Sequence, residues 1–348
     1  MFSRNALRCL LIFCALSASH LTANELKLTT IDSVKSEKSC FHNVFASYDA
    51  WFNFLYSKRE NAFKRRGLKN INQALKKFED AFKNRFTKAD FDAAQKGLHC
   101  QRFTYEVNGK DVEGVLILPK GNNIQGEKTP LILYNRGGTR RFGQLVFGHI
   151  AHELFPLALK GYAIIASDYR KDEQYGADNI DEVTQLIDVA ESIPSLKTDK
   201  IHVYGISRGG LTSMQLARER PSKIASIVSI SGVMNSVMWA QNREGIQNNI
   251  SLINGYKKDP KAIHNKLSPV QWANELPNVP ILLIHSEDDD KVSVKHSLQL
   301  ADKLTELNRP HKTIIYPDGG HSIIGHKTEA TEATVRWFKA ATNAETRG

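Results

Sequence analysis

Gly205-Ile206-Ser207-Arg208-Gly209-Gly210 lies between an apolar run ending at Tyr204 and a segment of helical length from Leu211 to Glu219. Read outward from the serine, it matches the G-x-S-x-G pattern of a strand-to-helix elbow. The spacing has a steric cause. A serine presented on so tight a turn needs unusual backbone angles, so the residues two before and two after it, Gly205 and Gly209, must be small. Its hydroxyl then projects at a helix N-terminus, where the helix dipole favours negative charge. A five-residue match also arises by chance in an ordinary glycine turn, and the strand and helix on either side are what give this one meaning.

The wider chain has the same alternation. Short apolar runs stand at Leu131 to Tyr134, Tyr162 to Ser167, Ile201 to Tyr204, Ile224 to Ile230, Ile281 to His285 and Thr313 to Tyr316. Between them lie helical lengths at Val146 to Lys160, Asp181 to Ser192, Leu211 to Glu219, Ser293 to Leu307 and Glu329 to Ala341. Such alternation predicts a mostly parallel sheet with helices on both faces. Phe103, Tyr105 and Val107 alternate with polar residues before Asn108-Gly109, a two-residue hairpin signal leading into Val112 to Leu118. Residues 24–100 read as an N-terminal helical segment: Val44, Tyr48, Trp51, Phe52 and Leu55 share one helical face, Ile71, Leu75, Phe78 and Phe82 another, and Gly67 separates them. Residues 101–348 form the expected catalytic domain. The stretch 231–277, with Trp239, Tyr256 and Trp272, is too long for a plain connection and reads as a cap that would roof a pocket together with the N-terminal helices.

A hydroxyl at its ordinary pKa is a poor nucleophile and needs a base held by a carboxylate. Asp288-Asp289-Asp290 follows the Ile281 strand, and His321 follows the next strand within Asp318-Gly319-Gly320-His321. Gly319 and Gly320 let that loop swing toward the elbow, which favours His321 over His326 and His311. Charge developing in the transition state needs backbone donors. The N–H of Arg208 is the expected first one, and Asn135-Arg136-Gly137-Gly138, after the Leu131 strand, points to Arg136 and Gly137 for the second. Histidines and cysteines lack metal-ligand spacing, and no glycine-rich nucleotide fingerprint follows a first strand, so no metal or other cofactor is expected.

These residues resemble the prolyl oligopeptidase family of serine peptidases, catalytic domain only, from about Asp111 to Phe338. The resemblance rests on Asn135-Arg136-Gly137-Gly138, on Asp168-Tyr169-Arg170 followed by an acidic run, on the elbow with its second glycine, and on Ser268-Pro269 leading to Leu282-Leu283-Ile284-His285. It implies the α/β-hydrolase fold. The family's acid motif looks like Gly-x-x-Asp-x-x-Val, and Ser286 to Val292 places Asp289 at the matching position, with Ser286 in place of the glycine. Active peptidases of the family carry a large β-propeller or elements that recognise a peptide N-terminus. Here about 75 residues of helical character precede the hydrolase domain, so the resemblance implies fold and triad before it implies peptide substrates.

The first residues combine Arg4 and Arg8, an apolar run from Cys9 to Ala18, and small residues up to Ala23, the pattern of a cleaved signal peptide over residues 1–23. That run is too short to span a bilayer. Export to the periplasm or beyond is expected, and Cys40 and Cys100 then form an even pair in an oxidising compartment, where a disulfide is one reading and two free thiols the other. Net charge is +10, and residues 24–100 hold 15 basic and 9 acidic residues. Such charge fits either anionic envelope polymers and lipid headgroups or simply the solvated side of helices. Nothing beyond charge suggests nucleic acid. The expected partner is a small-molecule or short-peptide substrate, leaving three readings: a peptidase for short peptides, an esterase for small carbohydrate or lipid esters, and an inactive binding protein on the same fold.

Overall fold

A computed structural model describes residues 27–121, 127–139, 142–170, 179–241 and 243–345. The expected signal peptide and the acidic run after Arg170 lie outside the described residues. The strands are β1 (Val34–Ser39), β2 (Leu98–Val107), β3 (Lys110–Pro119), β4 (Thr129–Asn135), β5 (Ala163–Ser167), β6 (Leu196–Ile206), β7 (Ile224–Ile230), β8 (Ile281–Ser286) and β9 (His311–Tyr316). They form one sheet in the order β1-β2-β3-β5-β4-β6-β7-β8-β9. The first three strands are antiparallel to their neighbours, and β5 through β9 run parallel. Parallel strands covered on both faces read as unbroken apolar runs, and every residue of β7 is buried. The β2–β3 hairpin turns at Asn108 (φ 51°) and Gly109 (φ 74°), the two left-handed residues that a type I′ turn demands.

The helices are α1 (Tyr48–Arg65), α2 (Ile71–Arg85), α3 (Lys88–Gly97), α4 (Phe147–His149) running through a π turn (Ile150–Leu154) into α5 (Phe155–Ala158), α6 (Asn179–Glu191), α7 (Arg208–Glu219), α8 (Ser236–Ala240), α9 (Glu244–Ser251), α10 (Pro260–Lys266), α11 (Lys295–Glu306) and α12 (Lys327–Glu345). Strand side chains alternate between two cores. On one face Leu133, Val203, Ile227 and Leu283 pack with α6, α7 and α11. On the other, Ile132, Tyr204, Val228 and Ile284 pack with α4, α5, α12 and the N-terminal helices. There Trp51 meets Phe82, Phe86 and Phe147 at ring distances of 4.9, 4.8 and 4.9 Å.

Three features depart from the sequence reading. Residues 34–39, placed in a helical segment, form β1 and pair with β2. Only Val34 of this strand is buried, so the apolar signal of a strand is missing, and its lysines and glutamate suit a sheet edge that must not recruit another chain. A third helix, α3, begins where Thr87 caps the backbone N–H of Asp90. The two parts expected to roof the site together lie on opposite faces of the sheet. Trp239, Ile250, Leu267 and Trp272 belong to the core beside α7, whereas the N-terminal helices pack on the opposite face of the sheet. Trp272 lies 4.2 Å from the guanidinium of Arg218, near the end of α7 and about 17 Å along that helix from Ser207. It flanks the helix rather than covering the elbow.

Cys40 and Cys100 are bonded, with Cα atoms 5.3 Å apart, joining the chain just after β1 to β2.

Candidate active site

Ser207 sits between β6 and α7 with φ 59° and ψ −125°, a positive-φ conformation that costs a non-glycine residue about 1–3 kcal/mol and persists only where its surroundings impose it. They do impose it. Its N–H donates to the carbonyl of Ile230 at 2.9 Å, and its own carbonyl accepts from Gly210 at 2.9 Å and Val233 at 3.2 Å. A methyl group on Gly205 would overlap the carbonyl of Gly209, and one on Gly209 would overlap the carbonyl of Asn135. Both glycines are therefore required by close backbone approach between β4, β6 and α7.

β8 and β9 end on the same side of the sheet as β6, and their following loops bring the other groups to the serine. His321 Nε2 lies 2.9 Å from Ser207 Oγ, and its Nδ1 lies 2.8 Å from Asp289 Oδ2. With Nδ1–H donating to the carboxylate, Nε2 is free to accept the serine proton. The loop reaches this position through left-handed residues at Gly319 (φ 111°), Gly320 (φ 59°) and Ile323 (φ 46°). Its far end is fixed by Lys327, whose partly buried side chain donates to Glu153. Burial works against that charge, but Tyr204 and Glu153 outweigh it and hold the lysine protonated.

Asp289 is 7 % exposed. Its Oδ1 accepts from the N–H groups of Lys291 (2.8 Å) and Val292 (2.9 Å), and its Oδ2 also faces His285 Nε2 at 3.1 Å. Burial pushes this carboxyl up, yet hydrogen bonds from His285, His321 and Val292 prevail and hold it well below the usual carboxylate range. The neighbours do other work. Asp288 accepts from the N–H of Gly320 at 2.8 Å, tying the acid loop to the histidine loop, and Asp290 pairs on the surface with Lys291. Neither rival histidine reaches the serine. His326 stacks on Tyr316 and bonds Asp318, and His311 bonds Thr305 and the carbonyl of Arg309.

Two contributors escaped the sequence reading. His285 closes an apolar strand and read as its last residue. In the structure its Nε2 faces both Asp289 and the carbonyl of Val292 (2.8 Å), and its Nδ1 faces Ser297 Oγ (2.8 Å). A histidine at the carboxyl end of a buried strand, four residues before the acid, is the signal that could have exposed it. The second is Tyr169, at φ 54°, whose ring is faced by the guanidiniums of Arg136 at 4.6 Å and Arg208 at 4.9 Å. Both arginines are buried. Arg136 donates to the carbonyls of Gly137 and Phe142 (3.0 Å each) and pairs with Asp168 (3.0 Å). Arg208 donates to the carbonyl of Gly138 and, at 2.6 Å, to Asn179. Their side chains thus shape the loop after β4, and this loop passes so close to the serine that a Cβ on Gly137 would stand 2.9 Å from that of Ser207.

Among the described residues no cluster of histidine, cysteine or acidic side chains could hold a metal ion, and no helix is long and apolar enough to cross a membrane.

The model of the prolyl oligopeptidase family matches residues 149–345. An uncharacterized peptidase of Bacillus subtilis, YtmA, is 28% identical over 242 residues, which are 67% of this chain and 90% of that protein. Dipeptidyl-peptidase 5 of Porphyromonas gingivalis is 23% identical over 64% of this chain, but only 35% of its own length is matched. Among solved structures, an acylaminoacyl peptidase in complex with Z-Gly-Gly-Phe-chloromethyl ketone superposes with a TM-score of 0.60 at 21% identity, over 70% of this chain and 41% of that one. The chain therefore spans most of one relative and well under half of the other two. The matched region takes in the elbow, the acid loop and the histidine loop, and the chain belongs to the prolyl oligopeptidase family as a serine hydrolase of the α/β-hydrolase fold.

Proposed function

We propose that the protein is an exported peptidase that cleaves short peptides through an acyl-enzyme on Ser207. The observation that carries this reading is the unbroken chain Ser207 Oγ, His321, Asp289, at 2.9 and 2.8 Å. His321 takes the hydroxyl proton as Ser207 attacks the scissile carbonyl, and Asp289 stabilises the imidazolium that forms. The backbone N–H groups of Arg208 and of the Arg136-Gly137 pair receive the negative charge on the substrate oxygen, a role supported by how closely Gly137 approaches the serine. Collapse of the tetrahedral adduct hands the proton to the leaving amine, and water repeats the sequence to release the acid. Export is supported by the composition of residues 1–23 and by the Cys40–Cys100 bond, a linkage that persists in oxidising compartments.

Amide and ester substrates share this route, so the triad does not choose between them. The relatives described above, a peptidase and a dipeptidyl-peptidase, favour amides. Phe142 and Ile324, on the loops following β4 and β9, and Val237, in α8 after β7, are exposed on connections that leave the sheet end carrying Ser207. These suit substrates with apolar groups beside the scissile bond. The test compares turnover of di- to pentapeptide amides, chromogenic short-chain esters and casein, with Ser207→Ala as blank. Short peptides should be cut and casein spared. Rates on esters far above those on every peptide would make the protein an esterase, and efficient digestion of casein would contradict a site for short chains.

A further inference from the structure

Positive charge is concentrated at one place in the fold. Between Lys58 and Lys77 stand eight basic residues and a single acid, Glu60, whereas residues 101–348 hold 30 basic and 28 acidic residues. The segment forms the second half of α1, the turn and the start of α2. Every residue from 64 to 70 is exposed. Lys64 is paired with Glu60 at 2.6 Å, Lys76 with Asp80 at 2.9 Å, and Arg59 covers the rings of Phe63 and Phe78. Among the described residues no acid pairs with Arg65, Arg66 or Lys69. Between these cations lies Leu68, one of the few large apolar side chains left exposed.

The hairpin holds this cluster away from the body of the protein. Its base is fixed by Trp51, Phe82 and Phe86, and the 14 residues from Trp51 to Arg65 span about 20 Å of helix. Cations in the last turn of α1 also complement the helix dipole, which accounts for Lys64 and Arg65. It does not account for Lys69 or Lys77, nor for a leucine at the apex of a turn. An ordinary solvated helix face would intersperse acids, as the rest of the chain does.

We propose that the α1–α2 turn docks the enzyme on anionic lipid surfaces, with Arg65, Arg66 and Lys69 meeting headgroup phosphates and Leu68 entering the interface. A soluble polyanion would engage only the cations. A bilayer accommodates the leucine as well, and the combination of basic ring and apolar tip is what favours lipid.

The experiment is sedimentation of the full chain with phosphatidylglycerol vesicles, phosphatidylcholine vesicles and soluble polyphosphate, comparing wild type with two variants. Phosphatidylglycerol should bind and phosphatidylcholine should not. Replacing Arg65, Arg66 and Lys69 together by Gln should weaken vesicle binding about 100-fold, from roughly fivefold per charge. Leu68→Asn should weaken vesicle binding about tenfold and leave polyphosphate binding unchanged. Labelling of Ser207 by a fluorophosphonate should be equal in all three proteins, which shows that the variants are folded. Equal vesicle binding by wild type and the triple variant would overturn the proposal. So would wild-type binding to polyphosphate but not to vesicles, or no preference between the two lipids.

Discussion

Both oxygens of Asp289 are saturated: two backbone N–H groups meet Oδ1, and His321 and His285 meet Oδ2. Among the described residues, Asp288 bonds the N–H of Gly320 and Asp290 bonds Lys291, and neither hydrogen-bonds a histidine. Asp289→Asn should therefore lower kcat about 10⁴-fold, the scale seen when a triad carboxylate is lost, while Asp288→Asn and Asp290→Asn should each cost less than about tenfold. Steady-state kinetics on the three variants decides it, and a reversed ranking would move the acid. Tyr169 makes a different demand. Its ring holds Arg136 and Arg208, and those arginines hold the loop that passes Ser207. Tyr169→Phe keeps the ring and should stay within about threefold of wild type. Tyr169→Leu loses two cation–π contacts of about 1 kcal/mol or more each, and should lower kcat about 10- to 100-fold with little change in KM. Equal kcat in both variants would show that the ring does not position the loop.

At the level of elements, the disulfide ties the first strand to the body of the sheet. Cys100 pairs in register with Ile117, and Ile117 with Ile164 near the start of β5, so the bond lies toward the end of the sheet away from Ser207. Replacing Cys40 and Cys100 by Ser should cost about 4 kcal/mol of stability for a loop of this size yet leave turnover unchanged at 25 °C. Denaturant titration and a rate assay check the two halves, and a lost rate in a folded variant would contradict the placement. The parallel strands and their helices were legible in the sequence because burial on both faces forces continuous apolar runs. The elbow was legible because backbone approach at Gly205 and Gly209 excludes every larger residue. β1 was not, since an edge strand needs only one buried residue, Val34. His285 and Tyr169 were hidden for a related reason: each acts through neighbours that only folding brings close, from β8 and α11 in one case and from the loops after β4 and β6 in the other. That the 231–277 stretch and the N-terminal helices take opposite faces was not legible, because Trp239 and Trp272 carry no mark of which face of the sheet they will join.

For the whole molecule, buried neutral histidines link stability to pH. Burial holds His202 and His296 at about 3, and His149 at about 4. Their folded values lie below the unfolded one near 6.5, so the unfolded chain takes up protons first as pH falls. Their contribution is complete above pH 6.5 and is lost on the way down toward pH 3–4, at most about 3 kcal/mol for each of His202 and His296 by pH 4. The melting temperature should fall steadily between pH 6.5 and 4, and the fall should be shallower in His202→Gln. A flat profile would show that these histidines can be charged within the fold. The central claim, that this fold exists to present Ser207 as an activated nucleophile, is tested most directly by treating the protein with a fluorophosphonate and locating the adduct by peptide mass spectrometry. A single adduct on Ser207, absent in Ser207→Ala and slowed by orders of magnitude in His321→Ala, is the predicted result. Equal labelling of wild type and Ser207→Ala, or an adduct confined to another residue, would contradict it.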